Sequence, residues 1–217
     1  MLFRSCLAFN ARQASILRDE TRLAHWVQEL HTLTQEHGYP YWSAEVLIYE
    51  GQLQLTRGEA GAAVMLMRQG LEAYLATGST ILAAHFAILL GDALTQDERW
   101  AEALILLDDQ IAAVSATGAL WYAAELHRRR GQLLLKGSVP DFAGAEAEFL
   151  QAMDIARRQS AKLWELRAAV SLARLWRDQD RKSDAHHLLS PIFAWFTEGF
   201  EYADLETAKS LLEELSR

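Results

Sequence analysis

Apolar, small and polar positions recur along this chain with a period near 40 residues. Gly51, Gly91 and Gly131 are 40 apart, and each is followed 12 to 14 residues later by an alanine: Ala63, Ala103 and Ala145. Ala173 and Ala185 make a fourth pair, again 12 apart. The two extra residues before Ala145 fall in the loop Gly137-Ser138-Val139-Pro140-Asp141. Gly38, Gly78 and Gly118 form a second series at the same period, placed to close helices in a left-handed conformation. Apolar doublets open the segments that follow: Tyr41-Trp42, Ile81-Leu82, Trp121-Tyr122 and Leu163-Trp164.

These patterns predict helices over about 2–18, 20–37, 42–57, 59–77, 80–96, 99–117, 120–136, 142–159, 162–178, 182–197 and 203–215. Alternate helices pair as antiparallel hairpins over about 1–38, 39–78, 79–118, 119–160 and 161–199, all in one repeat domain spanning 1–217. Where the two helices of a hairpin cross, a large side chain would hold the backbones apart, so each carries a small residue. Met67, Leu107, Phe149 and Leu189 are the large residues packed beside these crossings, and the doublets are expected to pack between repeats. In the first hairpin Ala11 and Leu23 hold the small positions, and Leu23 departs from the pattern. The final helix carries Leu205, Ala208, Leu211, Leu212 and Leu215 on one stripe, as a cap with one wet face requires. Pro191 should kink or restart the helix it falls in.

The paired small residues, 12 apart on successive helices, resemble those of tetratricopeptide repeats. The resemblance implies an all-α, right-handed superhelix of about five hairpins plus a C-terminal capping helix. The longer period, the stretch Ala124 to Leu135, the stretch Ala145 to Asp178, and the ending Pro191 to Phe200 with Ala203-Asp-Leu look like the C-terminal region of bacterial multidomain signalling proteins. In those proteins a cyclase-like or winged-helix domain precedes an NTPase, and helical repeats come last. The resemblance is strongest over 120–217 and implies the tail of a longer polypeptide. Of the catalytic motifs of such proteins, none lies in this chain.

Composition narrows the function classes. The net charge of −8 argues against direct nucleic-acid binding. It is uneven: residues 1–118 carry 7 Lys/Arg against 14 Asp/Glu, and 119–217 carry 14 against 15. Three prolines, abundant Ala and Leu, and sparse Val and Thr favour helix over sheet. The single cysteine, Cys6, rules out an intrachain disulfide and suits the cytoplasm; it reads as a small buried hydrophobe. Met1 to Ala11 lacks the long apolar core of a signal peptide, and no apolar run is long enough to span a membrane.

Candidate chemistry is thin. There is no Walker A, GxGxxG, GxSxG or HExxH sequence. His25, His31 and His37 are spaced by six, about 240° apart on a helix, so they do not converge on a metal. His186 and His187 also diverge, and Gly58 to Gly61 reads as a turn. Neither a cofactor nor a metal is expected. The seven tryptophans recur in phase with the repeat and read mostly as packing residues.

The resemblance implies that the first helix of each hairpin lines a concave groove. Its groove-facing positions hold Arg12; Glu45, Ile48, Gln52 and Leu55; His85, Ile88, Asp92 and Thr95; Glu125, Arg128, Gln132 and Leu135; and Arg167, Val170, Arg174 and Arg177. The polar members Gln52, His85, Asp92, Glu125, Arg128, Gln132, Arg167, Arg174 and Arg177 are the candidate partner-binding residues. The arginines at the C-terminal end suit carboxylate or phosphate groups. A solvated face, paired in part with Glu165 and Asp178, is the bland alternative. The expected function is a non-catalytic interaction or regulatory module binding a protein or peptide, acidic segments included, or sister domains of its own parent chain. A small-molecule sensor is the alternative, predicting a closed cavity of a few hundred Å³ near Trp121 or Trp164. The apolar face of the first repeat also allows a homodimer.

Overall fold

A computed structural model describes residues 2–137 and 139–217. Among them are eleven α-helices and no strand. They are α1 (Leu2–Leu17), α2 (Glu20–His37), α3 (Pro40–Thr56), α4 (Ala60–Ala76), α5 (Ala83–Gln96), α6 (Trp100–Thr117), α7 (Ala123–Leu134), α8 (Phe142–Arg158), α9 (Lys162–Asp178), α10 (Lys182–Phe193) and α11 (Ala203–Leu215). The helices pack in successive pairs, and the fold is an all-α solenoid. The chain divides into two compact units, Met1–Gln110 and Ile111–Arg217, with the division inside α6.

The first unit holds hairpins α1–α2 and α3–α4, then α5 and the start of α6. At the α3–α4 crossing a methyl group on Gly51 would sit 2.7 Å from Met67 Cγ and 3.1 Å from the Ala63 carbonyl oxygen. A second close approach lies further along α4: a methyl on Gly70 would sit 2.9 Å from the Ala44 carbonyl oxygen. Ala11 and Leu23 are both buried at the first crossing, so this hairpin closes around a leucine. Tyr74 and Phe86 meet edge-on at 4.9 Å, and the Tyr74 hydroxyl accepts from the Leu82 amide at 3.1 Å. That bond ties α4 to the start of α5.

The second unit repeats the scheme. A methyl on Gly131 would sit 2.6 Å from Phe149 Cε1, and Ala145, Ala173 and Ala185 are fully buried. Leu205, Ala208, Leu211 and Leu215 of α11 are buried against α9 and α10, with Leu212 half-buried. The cap stripe therefore faces the stack as expected.

Left-handed turn residues keep the same period. Gly38, Gly78 and Gly118 have φ of 63°, 80° and 71°, and Arg18, Gly58 and Glu98 hold φ of 57°, 82° and 60° in the intervening turns. Non-glycine residues thus take the strained position in two of those three turns.

Several local expectations differ from the structure. Helix α10 ends at Phe193, two residues past Pro191, and does not run on to 197. The missing proline N–H withdraws the bond to the His187 carbonyl, and the helix closes one turn later with the Ala194 amide donating to the Ser190 carbonyl at 3.0 Å. In two doublets one member points outward: Ile81 is 62% exposed beside buried Leu82, and Trp121 is 73% exposed beside half-buried Tyr122. A short 3-10 turn, Leu120–Tyr122, precedes α7 and rotates Trp121 out of the helical register. Trp195 is also exposed. Cys6 is exposed too and is not the buried hydrophobe its neighbours suggested.

The glycine positions are not equivalent. Gly91 leaves 3.5 Å between an added methyl and Leu107, an ordinary contact, whereas Gly131 leaves 2.6 Å against Phe149. Gly91→Ala should stabilise the chain by up to about 1 kcal/mol through helix propensity. Gly131→Ala should destabilise it by about 1 kcal/mol or more through overpacking. Urea unfolding of the two variants against wild type measures both signs.

Candidate functional site

The same register position of the first helices of the hairpins holds a polar residue in each unit: Glu45 on α3 and His85 on α5 in the first, Glu125 on α7 and Arg167 on α9 in the second. All four are buried, with no more than 6% of any of them exposed. Each lies six residues before the small crossing residue of its helix, on the side that meets a neighbouring helix.

In the second unit these residues belong to a buried ionic network. Arg128 Nε donates to Glu125 Oε2 at 2.7 Å, and its Nη2 donates to Glu125 Oε1 at 2.5 Å. Arg128 Nη1 reaches Ser171 Oγ at 3.3 Å, and Ser171 Oγ donates to the Arg167 carbonyl oxygen at 3.0 Å. Arg167 in turn donates from Nε and Nη2 to Asp204 Oδ2, at 2.9 and 2.5 Å. Its guanidinium lies 4.9 Å from the centre of the Trp164 ring. Arg129 adds an ion pair to Glu125 at 3.1 Å and donates to Gln132 Oε1 at 3.3 Å. Burial alone would raise the Glu125 carboxyl, but the Arg128 charge and its two hydrogen bonds outweigh burial and hold it far below the usual range. Asp204 sits in the first turn of α11, so Arg167 clamps the cap helix to α9.

Glu45 occupies the same register and behaves oppositely. It is fully buried, and its cation, Arg12 on α1, stands at 3.5 Å, further off than Arg128 stands from Glu125. Burial pushes its carboxyl up to about 7, against the pull of Arg12. The nearby Tyr41 hydroxyl is also raised, by burial, by its hydrogen bond to Tyr74 and by the Glu45 charge. A carboxyl poised near neutral pH is the usual mark of an acid or base catalyst. Glu45 has no exposed surface, so its carboxyl is closed off from solvent. His85 is buried beside Tyr49, with ring centres 6.2 Å apart.

The remaining candidates line two open regions. Gln52 and Asp92 border a cavity of about 220 Å³ in the first unit, and Gln52 accepts a hydrogen bond from Ser15 at 2.6 Å. Arg174 and Arg177 border a shallow basin of about 410 Å³ in the second unit, opposite Thr207, Ser210 and Glu214 of α11. Arg177 is paired with Asp178 at 2.8 Å and with Glu214 at 3.1 Å. Arg174 is exposed. The arginine group is therefore dispersed: Arg128 and Arg167 are internal, Arg177 is half-spent, and Arg174 faces solvent. Among the described residues no three His, Cys, Asp or Glu side chains gather in metal-binding geometry, and His31 and His127 contact Glu50 and Glu148 at 2.6 and 2.8 Å.

Sequence reasoning missed Ser171 and Asp204, the other members of the network. Asp204 lies 37 residues beyond Arg167, close to one repeat. That spacing, with opposite charges on neighbouring helices, was the available signal. The cavity around Gln52 had no signal beyond the misfit of Leu23.

Removing one member of the buried pair strands a charge, whereas replacing both does not. Arg128→Met alone should cost about 3–5 kcal/mol, and the double variant Glu125→Leu with Arg128→Met should recover most of that loss. Denaturant unfolding of the single and double variants checks this. A double variant as unstable as the single would mean that the arginine is not held mainly by Glu125.

No protein-family model and no curated protein sequence matches the chain. Among solved structures, a crystal structure of the apo form of RapI superposes with a TM-score of 0.64, covering 97% of this chain and 83% of that one, at 10% sequence identity. The likeness establishes the tetratricopeptide-like helical-repeat fold.

Proposed function

We propose that this chain is a non-catalytic interaction module that binds a peptide or protein segment along the first helices of its hairpins. The observation carrying this reading is how its polar groups are used. Most of those that are buried are consumed in internal pairs, and those that are open border a small cavity in the first unit and a shallow basin in the second, with no nucleophile–base pair among the described residues. Such surfaces suit extended segments more than reacting small molecules. A fold shared with RapI, whose crystal structure is of an apo form, supports a binding role. Among the described residues no helix is long and apolar enough to cross a membrane; on the present reading the module works in the cytoplasm.

The likeness of 120–217 to the tails of bacterial signalling proteins supports a narrower role. On that reading the chain is the sensor or scaffold arm of a larger regulator, carrying a cyclase-like or winged-helix domain and an NTPase ahead of it. Occupancy of the repeat then biases the attached domains, because a ligand shifts an equilibrium by its differential affinity for the two states. Arg174 is the exposed cation available to an acidic segment.

A thermal-shift screen of the purified chain against a random-sequence peptide library and a metabolite library tests the reading. At about 100 times its Kd, a bound peptide should raise the melting temperature by roughly 5–10 °C. Shifts from metabolites alone would overturn the proposal in favour of a small-molecule sensor. Silence from every peptide would also overturn it.

A further inference from the structure

The 220 Å³ cavity of the first unit has a composition that selects among peptides. Its floor is apolar: Leu23, Leu55, Met67 and Leu89. Leu23 stands at the crossing position that the other hairpins fill with alanine, so this wall is peculiar to the first hairpin. The rim is polar, with Gln52, Gln96 and Thr56 supplying donors and acceptors suited to a peptide backbone. Glu20 and Asp92 set two carboxylates on that rim against one cation, Arg18. The whole unit reinforces the sign, carrying 7 Lys/Arg against 14 Asp/Glu over residues 1–110.

Size narrows the occupant. Pockets for drug-sized ligands run from about 300 to 1,000 Å³, above this volume. The cavity has room for one large side chain and not for a drug-sized molecule. An apolar floor of this size takes one large apolar side chain while the chain that carries it lies across the rim.

We infer that this cavity is an anchor subsite for a basic peptide segment, taking one bulky apolar side chain on the floor and setting neighbouring cationic side chains against Asp92 and Glu20. The inference rests on the peptide-binding reading above and gives it a ligand chemistry. It also places the favoured partner of the first unit opposite in sign to the acidic segment suggested by the C-terminal arginines. Charge on the rim adds rate and selectivity, and the floor holds the anchor.

The test uses the full chain with carbon-13-labelled methionine methyl groups. Met67 is the reporter, its signal assigned by loss in Met67→Leu. Three probes are titrated: acetyl-Lys-Phe-Lys-amide, acetyl-Glu-Phe-Glu-amide and acetyl-Lys-Ser-Lys-amide. The Met67 methyl should shift with the first, saturate at about tenfold higher concentration with the second, and stay still with the third. Leu89→Trp fills the floor and should abolish the shift with the circular dichroism unchanged. Should that variant fail to fold, Asp92→Lys on the rim provides the second reading by reversing the order of the two phenylalanine peptides. Equal responses to both charged peptides, or a shift from the serine peptide, would overturn the inference. Phenethylamine binding as tightly as the peptide would overturn the assignment to a peptide. A still Met67 methyl while library peptides raise the melting temperature would sink the subsite and leave the interaction module standing. A still methyl with no library peptide bound would remove both.

Discussion

The fold depends on how closely two helices of a hairpin can approach. Close packing gains dispersion and apolar burial only when the backbones come together, and a single side chain at the crossing decides that distance. Gly51 against Met67 and Gly131 against Phe149 are the tightest of these points, at 2.7 and 2.6 Å for an added methyl. With the approach fixed, the large residue one turn away fills the remaining space, and the next hairpin finds a flat apolar flank to pack on. The approximate 40-residue period is this requirement repeated, and each repeat leans on its neighbours. The α1–α2 hairpin, closing around Leu23, is the exception, and the same leucine forms a wall of the cavity in that unit.

The second constraint is the cost of burying charge. The same register position holds Glu45, His85, Glu125 and Arg167, and burial would penalise each. The second unit answers with two doubly hydrogen-bonded pairs, Arg128 with Glu125 inside α7 and Arg167 with Asp204 between α9 and the cap, and Arg128 joins α7 to α9 through Ser171. The first unit leaves Glu45 with Arg12 at 3.5 Å, and its carboxyl rises accordingly. Two carboxylates in one register therefore end on opposite sides of their ordinary value, set by whether a guanidinium reaches them squarely. Spending charges internally removes them from recognition and leaves binding to the rims and basins.

The hairpins, the cap helix and most helix bounds were legible in the sequence because they follow from spacing: a crossing glycine, an alanine 12 residues on, a closing glycine every 40. The end of α10 was less so, since Pro191 permits either a restart or a stop, and only packing chooses. The candidate residues were legible as a register but not as a surface. Periodicity gives the face of a helix and does not say whether the next helix covers it. Arg128 and Arg167 share a face with Arg174, yet α9 and α11 bury the first two. Trp121 shows the reverse case, where a 3-10 turn breaks the register on which its inward placement depended.

Native-state hydrogen exchange tests the central claim most directly. If the small-residue crossings hold each hairpin together, amides around Gly51, Gly91, Gly131 and Ala173 should exchange only through the largest opening of their unit. Amides at the ends of the same helices should exchange by local fraying. Protection that is uniform along each helix, or lowest at the crossings, would contradict the account.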